Sequence, residues 1–204
     1  MKIAQTGVKG SMLHYSTTRQ GTFDEWALSV GLAFGAVMAG TMLAWVALYG
    51  CNVPQWEDWV MVPALVGKQP HLLQWLWSQY QEHRLPLPKA IYLVLLRASD
   101  GDVRTAMIAN TLMLSILCLA MILMARRLRG GQTRLADAFF PLVLLHLGHV
   151  DNILFGFQIN YVISASLACV WLLIIVGGRW PLSPKGALAA GLTLSCCPCR
   201  ARTA

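Results

Sequence analysis

The sequence predicts an all-α fold: a polytopic transmembrane helix bundle of about four spans plus a broken fifth, with amphipathic juxtamembrane helices in a large first outer loop. Composition is the first observation behind this reading. The 204 residues are 56% hydrophobic and 12% charged, whereas a soluble domain carries about a quarter charged residues. The second is a set of uncharged runs: Ala27 to Tyr49 (23 residues), Thr105 to Ala125 (21) and Ile153 to Gly178 (26). At about 1.5 Å per helical residue, roughly 20 apolar residues cross a ~30 Å hydrocarbon layer. The third is where the charge sits. The net +7 lies between the apolar runs, which places it at a membrane surface and argues against a nucleic-acid partner.

Residues 1–26 form a cytoplasmic N-terminal segment. The span after it (27–49) reads as a retained helix and not a signal peptide, because a long polar segment precedes it and its apolar run exceeds the roughly 7 to 15 residues of an h-region. Orientation follows the basic residues near span ends. Lys2, Lys9 and Arg19 precede the first span, Arg126, Arg127, Arg129 and Arg134 follow the second (about 103–125), and Arg179 and Lys185 follow the last (159–178). All three groups fall on one face only if a further span runs from Arg134 to Val150, through Asp137, His146 and His149. The expected location is a bacterial inner membrane with the N-terminus cytoplasmic. The transmembrane region then covers 27–185, with an outer loop over about 51–102 that carries Lys68, Arg84, Lys89 and Arg97 only thinly. Gly186 to Leu194 starts another apolar segment but breaks after nine residues into Ser195, three cysteines and Pro198. Nine residues cannot span, so 186–204 reads as an aberrant tail and the chain as the N-terminal fragment of a longer protein.

The outer loop is rich in Trp and Tyr, which favour the headgroup level: Trp56, Trp59, Trp75, Trp77, Tyr80 and Tyr92. His71 to His83 reads as a helix lying on the membrane surface, and Leu85 to Leu96, interrupted by Pro86, Pro88 and Lys89, as a second juxtamembrane helix.

Three polar clusters are candidates for chemistry. Glu57 and Asp58 follow the first span. Adjacent helical side chains diverge by about 100°, so at most one of the two points into a given cleft. A carboxylate at the membrane edge can have its pKa raised enough to act as a base; the plainer reading is a solvated loop carboxylate. Glu82, His83 and Arg84 form the second cluster. An Arg fork suits phosphate and its neighbours can orient it, while the alternative is a polar helix end. His146, His149 and Asp151 form the third. Neutral hydrogen-bonded histidine is commoner there than a metal ligand, and no metal is assigned. Gln158 and Asn160 lie near the outer end of the last span, suited to a ligand or to bonds across helices. Cys196, Cys197 and Cys199 form a tight trio, but zinc takes four ligands, usually as spaced pairs, and no His follows.

Taken in order, these features are an acidic pair beyond a first span, a large loop with amphipathic helices, a Pro-containing segment, a span ending in ARRLRG and an acidic residue in the next outer turn. The order resembles the N-terminal part of GT-C membrane glycosyltransferases, the superfamily that includes protein O-mannosyltransferases and lipid A aminoarabinose transferases. NVPQWEDW, QEHRLPLPKAIYL and HVDNILFGFQ look like segments of uncharacterised bacterial membrane proteins with that layout, and the resemblance covers about residues 27–180.

The resemblance implies sugar transfer from a polyprenyl-phosphate-linked donor, a membrane lipid, with an outer-loop carboxylate as general base. The acidic pair of the family reads Asp then Glu and is reversed here. By position the base is Glu57, with Asp58 as alternate. Charge for the leaving phosphate would come from Arg84, from Lys89 or from a divalent ion. Glu82 and His83 would orient it, and Asp151 and Gln158 would help to hold the substrate. Family members have many more spans, so the resemblance implies a fragment inactive alone. The rival class is a non-enzymatic membrane protein: a transporter subunit, lipid carrier or assembly factor. A transporter places ionisable residues near the bilayer midplane, and these spans have none there.

Overall fold

The structure is a computed structural model. It describes the backbone of residues 6–177 and 199–200, and side chains from residue 24 to 177. The expected segment boundary at 185 and most of the tail at 186–204 lie outside the described residues.

The chain is mostly helical. Three helices carry segments long and apolar enough to cross a membrane, as a membrane protein requires: α1 (Thr6–Tyr49) through Asp24–Tyr49, α5 (Arg104–Leu128), and α8 (Ile159–Gly177) together with the turn before it. No proline interrupts any of the three. Their outward faces are apolar, with Val37 66% and Ile116 68% exposed. Such faces suit hydrocarbon, which satisfies them without a protein partner. α5 stops at Gly130 and Gly131, both at positive φ (70° and 97°). The Gly131 amide donates to Arg126 O at 2.9 Å and the Gly130 amide to Arg127 O at 3.2 Å. This 6→1 and 5→2 pairing is a Schellman ending that only a left-handed residue such as Gly makes without strain.

Packing fixes the directions of the helices. Gly50, just past α1, lies against Met107 near the start of α5, so α1 and α5 are antiparallel. Gly156, just before α8, lies against Val103, and Gly177 at its end lies against Met124, so α8 runs parallel to α5. Residues 129–158 must therefore travel back along the whole of α5. They do so in short pieces: a 3-10 turn at Leu135–Ala138, α6 (Phe139–Leu144), a turn at Leu147–His149, α7 (Val150–Ile153) and a turn at Gly156–Gln158.

This corrects the expectation for Arg134 to Val150, which holds no single crossing helix. α6 has six residues, about 9 Å of rise. Pro141 is tolerated only in the first turn of a helix. The His146 ring then takes the Gly148 amide at Nδ1, 3.0 Å away, which diverts that amide from a helical ladder. At the α5 terminus the return path is anchored by an ion pair of Arg129 with the buried Asp137, whose carboxylate also accepts from the Arg134 amide at 3.0 Å.

At the opposite end, residues 50–103 fold into a cap. It holds a 3-10 turn at Trp56–Val60, α2 (Val62–Leu65), α3 (Leu72–Trp77), strands β1 (Gln79–Tyr80) and β2 (His83–Arg84), and α4 (Pro86–Ala98). The helix expected over His71 to His83 stops at Trp77. Ser78 turns extended, at ψ 142°, its hydroxyl donates to Trp75 O at 2.6 Å, and Gln81 turns the hairpin at φ 50°. Tyr80 pairs with His83 and Gln79 with Arg84, and β2 also pairs with β3 (Cys199–Arg200). The Leu85 to Leu96 segment forms α4, with proline in its first turn. The core lies where the cap meets the bundle. There Tyr92, Leu93 and Leu96 pack with Val103, Met107 and Ile153.

Candidate functional site

The acidic pair splits at the mouth of the cap. Trp56 takes a left-handed backbone (φ 45°), an uncommon conformation for a bulky residue, and the 3-10 turn after it sends Glu57 and Asp58 in different directions. Asp58 is 2% exposed. It accepts from the Tyr92 hydroxyl at 2.7 Å and from the Gln55 amide at 3.1 Å. Burial, the largest influence, holds its carboxyl above the usual carboxylate range, against the opposing pull of the hydrogen bonds from Tyr92, Gln55 and the Phe157 backbone. Burial and the same contact push the Tyr92 phenol up. Gly156 completes the knot, because a Cβ there would lie 2.4 Å from the Tyr92 hydroxyl oxygen and 3.0 Å from Val103. Three separate stretches of chain meet at this point, and among the described residues Asp58 lines neither of the two cavities beside it.

Glu57, half-buried, instead lines a cavity of about 470 Å³. The cavity lies between the hairpin and the start of α8. Tyr80, Gln81, His83 and Leu85 come from the hairpin side, Phe155 and Phe157 from the return path, and Gln158, Asn160, Tyr161 and Ser164 from the first turns of α8. Tyr80 and Phe157 meet edge to face at 5.3 Å between ring centres. The Tyr80 phenol is raised first by burial, then by the Glu57 charge and by Tyr161, and all three residues line this cavity. Asn160 donates to Phe157 O at 2.7 Å and Ser164 to Asn160 O at 2.6 Å, which holds the polar wall in place.

A second cavity of about 490 Å³ lies on the other side of Gln158 and Tyr161, which line both. Its remaining wall is largely apolar, with Leu114, Leu144, Ile153, Val162 and Ala165, plus His149 and Asn152.

The other sequence candidates separate. His83 and Gln158 join Glu57 at the first cavity. Arg84, next to His83 on β2, is exposed and is not among the lining residues, and Glu82 is exposed at the hairpin turn. Lys89 lines neither cavity. It is 2% exposed, and its ammonium donates to Ser78 O (3.2 Å), Ser78 Oγ (3.3 Å) and Trp75 O (3.4 Å) and sits 5.1 Å from the centre of the Trp75 ring. Burial depresses its pKa, and its work is to hold the end of α3 against α4. Asp151 is exposed on α7, outside both cavities. His146 and His149 stack at 4.2 Å, with His149 Nε2 3.2 Å from Val143 O. No group of three or more His, Cys, Asp or Glu suited to a metal comes together among the described residues.

Tyr80, Phe155, Phe157, Tyr161 and Ser164 are cavity residues that sequence reasoning did not select. A signal for the α8 part existed: Ser164 follows Tyr161 by three residues and Asn160 by four in a largely apolar span, the spacing of one helix face. The aromatic contribution of the hairpin and return path depends on long-range packing and left no such trace. No family model matches the chain, and neither a curated protein nor a solved structure matches it.

Proposed function

We propose that this chain is the N-terminal part of a GT-C-like membrane transferase, with the cap on the outer face of a bacterial inner membrane and the N-terminus in the cytoplasm. In this reading the bundle crosses four times, three times as long helices and once as the broken return path over 129–158, one side of which packs against α1 and α5. Irregular backbone is tolerated at membrane depth when protein covers it. That path puts the arginines after α5 and the end of α8 on the same side, as the distribution of positive charge requires.

The observation that carries the reading is that Glu57, and not Asp58, opens into a cavity at the cap end of the bundle, walled by aromatic rings, amides and a hydroxyl. Aromatic faces and amide groups suit a sugar ring. Glu57 would take the proton from an acceptor hydroxyl as that oxygen attacks the anomeric carbon. The anomeric bond to the lipid phosphate would break, the phosphate would leave with the bonding pair, and the configuration would invert. The cation that the resemblance offers for that phosphate is Arg84, which is exposed on β2 beside His83 and is not a lining residue. Asp151 and Glu82 lie away from the reacting centre, and Lys89 is committed to packing.

The test is replacement of Glu57 by Ala in the parent protein in producing cells. Glycan modification should be lost while the level of protein in the membrane stays unchanged. Unaltered modification would favour a second reading, a lipid-binding protein without chemistry, which has an observation of its own: no Lys or Arg lines either cavity among the described residues.

A further inference from the structure

The walls of the first cavity say more about its ligand than the acidic pair does. The chain carries a net charge of +7, yet no Lys or Arg contributes to either cavity among the described residues. Lys89 turns away into Ser78 and Trp75, and Arg84 stays outside. What faces the space is one carboxylate, Glu57, together with four aromatic side chains, Tyr80, Phe155, Phe157 and Tyr161.

A carboxylate beside several π-faces is the arrangement that recognises an organic ammonium, because ring quadrupoles present negative charge and shed little hydration to do so. One feature opposes a cation, the N-terminus of α8 at the cavity wall. A helix end is equivalent to about half a positive charge and acts within a turn, so the full charge of Glu57 outweighs it. The largely apolar second cavity, sharing Gln158 and Tyr161 with the first, continues the site along α5 and α8 toward hydrocarbon.

We infer that the two cavities together hold an amphiphile whose head carries an organic ammonium, seated between Glu57 and the aromatic rings, with its apolar tail beyond Tyr161. The inference rests on the same cavity as the transferase reading but not on its chemistry.

The test is calorimetric titration of the full 204-residue protein in a neutral maltoside detergent with dodecyltrimethylammonium, with choline and dodecyl sulfate as parallel probes. Saturable binding of dodecyltrimethylammonium is expected. It should weaken about tenfold in Glu57→Gln, which matches one kcal-scale contact at 1.4 kcal/mol per decade, and at least threefold in Tyr161→Ala. Glu57→Asp should retain most of it. Competition by choline would identify a free organic ammonium as a sufficient ligand, and competition by the amphiphile alone a lipid headgroup; both support the site. Equal binding by Glu57→Gln, with its melting temperature unchanged, or equal binding of dodecyl sulfate to the wild type, would overturn the inference. A Glu57→Gln protein that loses ammonium binding while its parent keeps glycan modification defeats the transferase reading alone. The reverse result defeats this inference alone.

Discussion

Glu57 and Asp58 are adjacent in the chain, yet the regions around them differ in kind. Around Asp58 every polar atom is answered: the Tyr92 hydroxyl and the Gln55 amide each find a carboxylate oxygen, and Gly156 brings the return path close enough to close the knot. Around Glu57 there is a cavity, and no ion pair engages its carboxylate among the described residues. A carboxylate that is buried and fully bonded stabilises a fold; one that faces open space within reach of phenols and amides is available to a ligand. Residue type does not separate the two. Local geometry does, through a short turn that follows one left-handed tryptophan.

The contrast breaks most severely if Asp58 is removed. Asp58→Ala leaves the Tyr92 hydroxyl and the Gln55 amide without their acceptor, and the expected loss is about 2–4 kcal/mol of stability, read as a lower unfolding temperature in detergent. Gly156→Ala acts on the same knot from the other side. Its new Cβ would overlap the Tyr92 hydroxyl oxygen, and about 1–3 kcal/mol should be lost. A melting temperature equal to wild type would mean that the return path does not pack where it is described.

The pH dependence sharpens the comparison with a smaller effect. Because burial raises Asp58 above its ordinary 3.8, the native state keeps a proton that the unfolded chain has already released. The stability from this group is therefore fully present below about pH 4 and is lost as pH rises through the raised value. Asp58→Asn cannot titrate, so the difference between its unfolding free energy and that of wild type should vary with pH in that acidic window and level off above it. A difference flat across the window would place Asp58 in water. The smallest effect belongs to its neighbour: Glu57→Gln should change stability by less than about 0.5 kcal/mol, since the side chain is half-exposed at a cavity wall. A large loss would mean that Glu57 is structural too.

Much of the architecture was legible in the chain because the physics behind it is local. A run of some twenty uncharged residues spans hydrocarbon wherever it occurs, and α1, α5 and α8 follow three such runs. Where two demands competed, pattern was not enough. The aromatic and leucine content of His71 to His83 suits a helix, but the hydrogen bonds of Ser78 and the turn at Gln81 end it at Trp77. Arg134 to Val150 is apolar enough to suggest a span, but Pro141 and the bond between His146 and Gly148 divide it. At the candidate site Glu57 and Gln158 were visible as polar residues near span ends, and His83 as part of a polar cluster in the outer loop. Lys89 and Asp58 were equally visible, and the fold placed both in packing.

The sequence by itself determined that this is a helical chain with three membrane-length apolar segments, an aromatic-rich loop after the first, and basic residues gathered at span ends, because length, composition and charge act along the chain without reference to its neighbours. Only the tertiary structure decided that the path between α5 and α8 returns in pieces, and which of two adjacent acids meets a cavity. Those outcomes depend on contacts between residues far apart in sequence, Asp58 with Tyr92, Gly156 with Val103 and Gly177 with Met124, and no local pattern encodes which distant partner a side chain will meet.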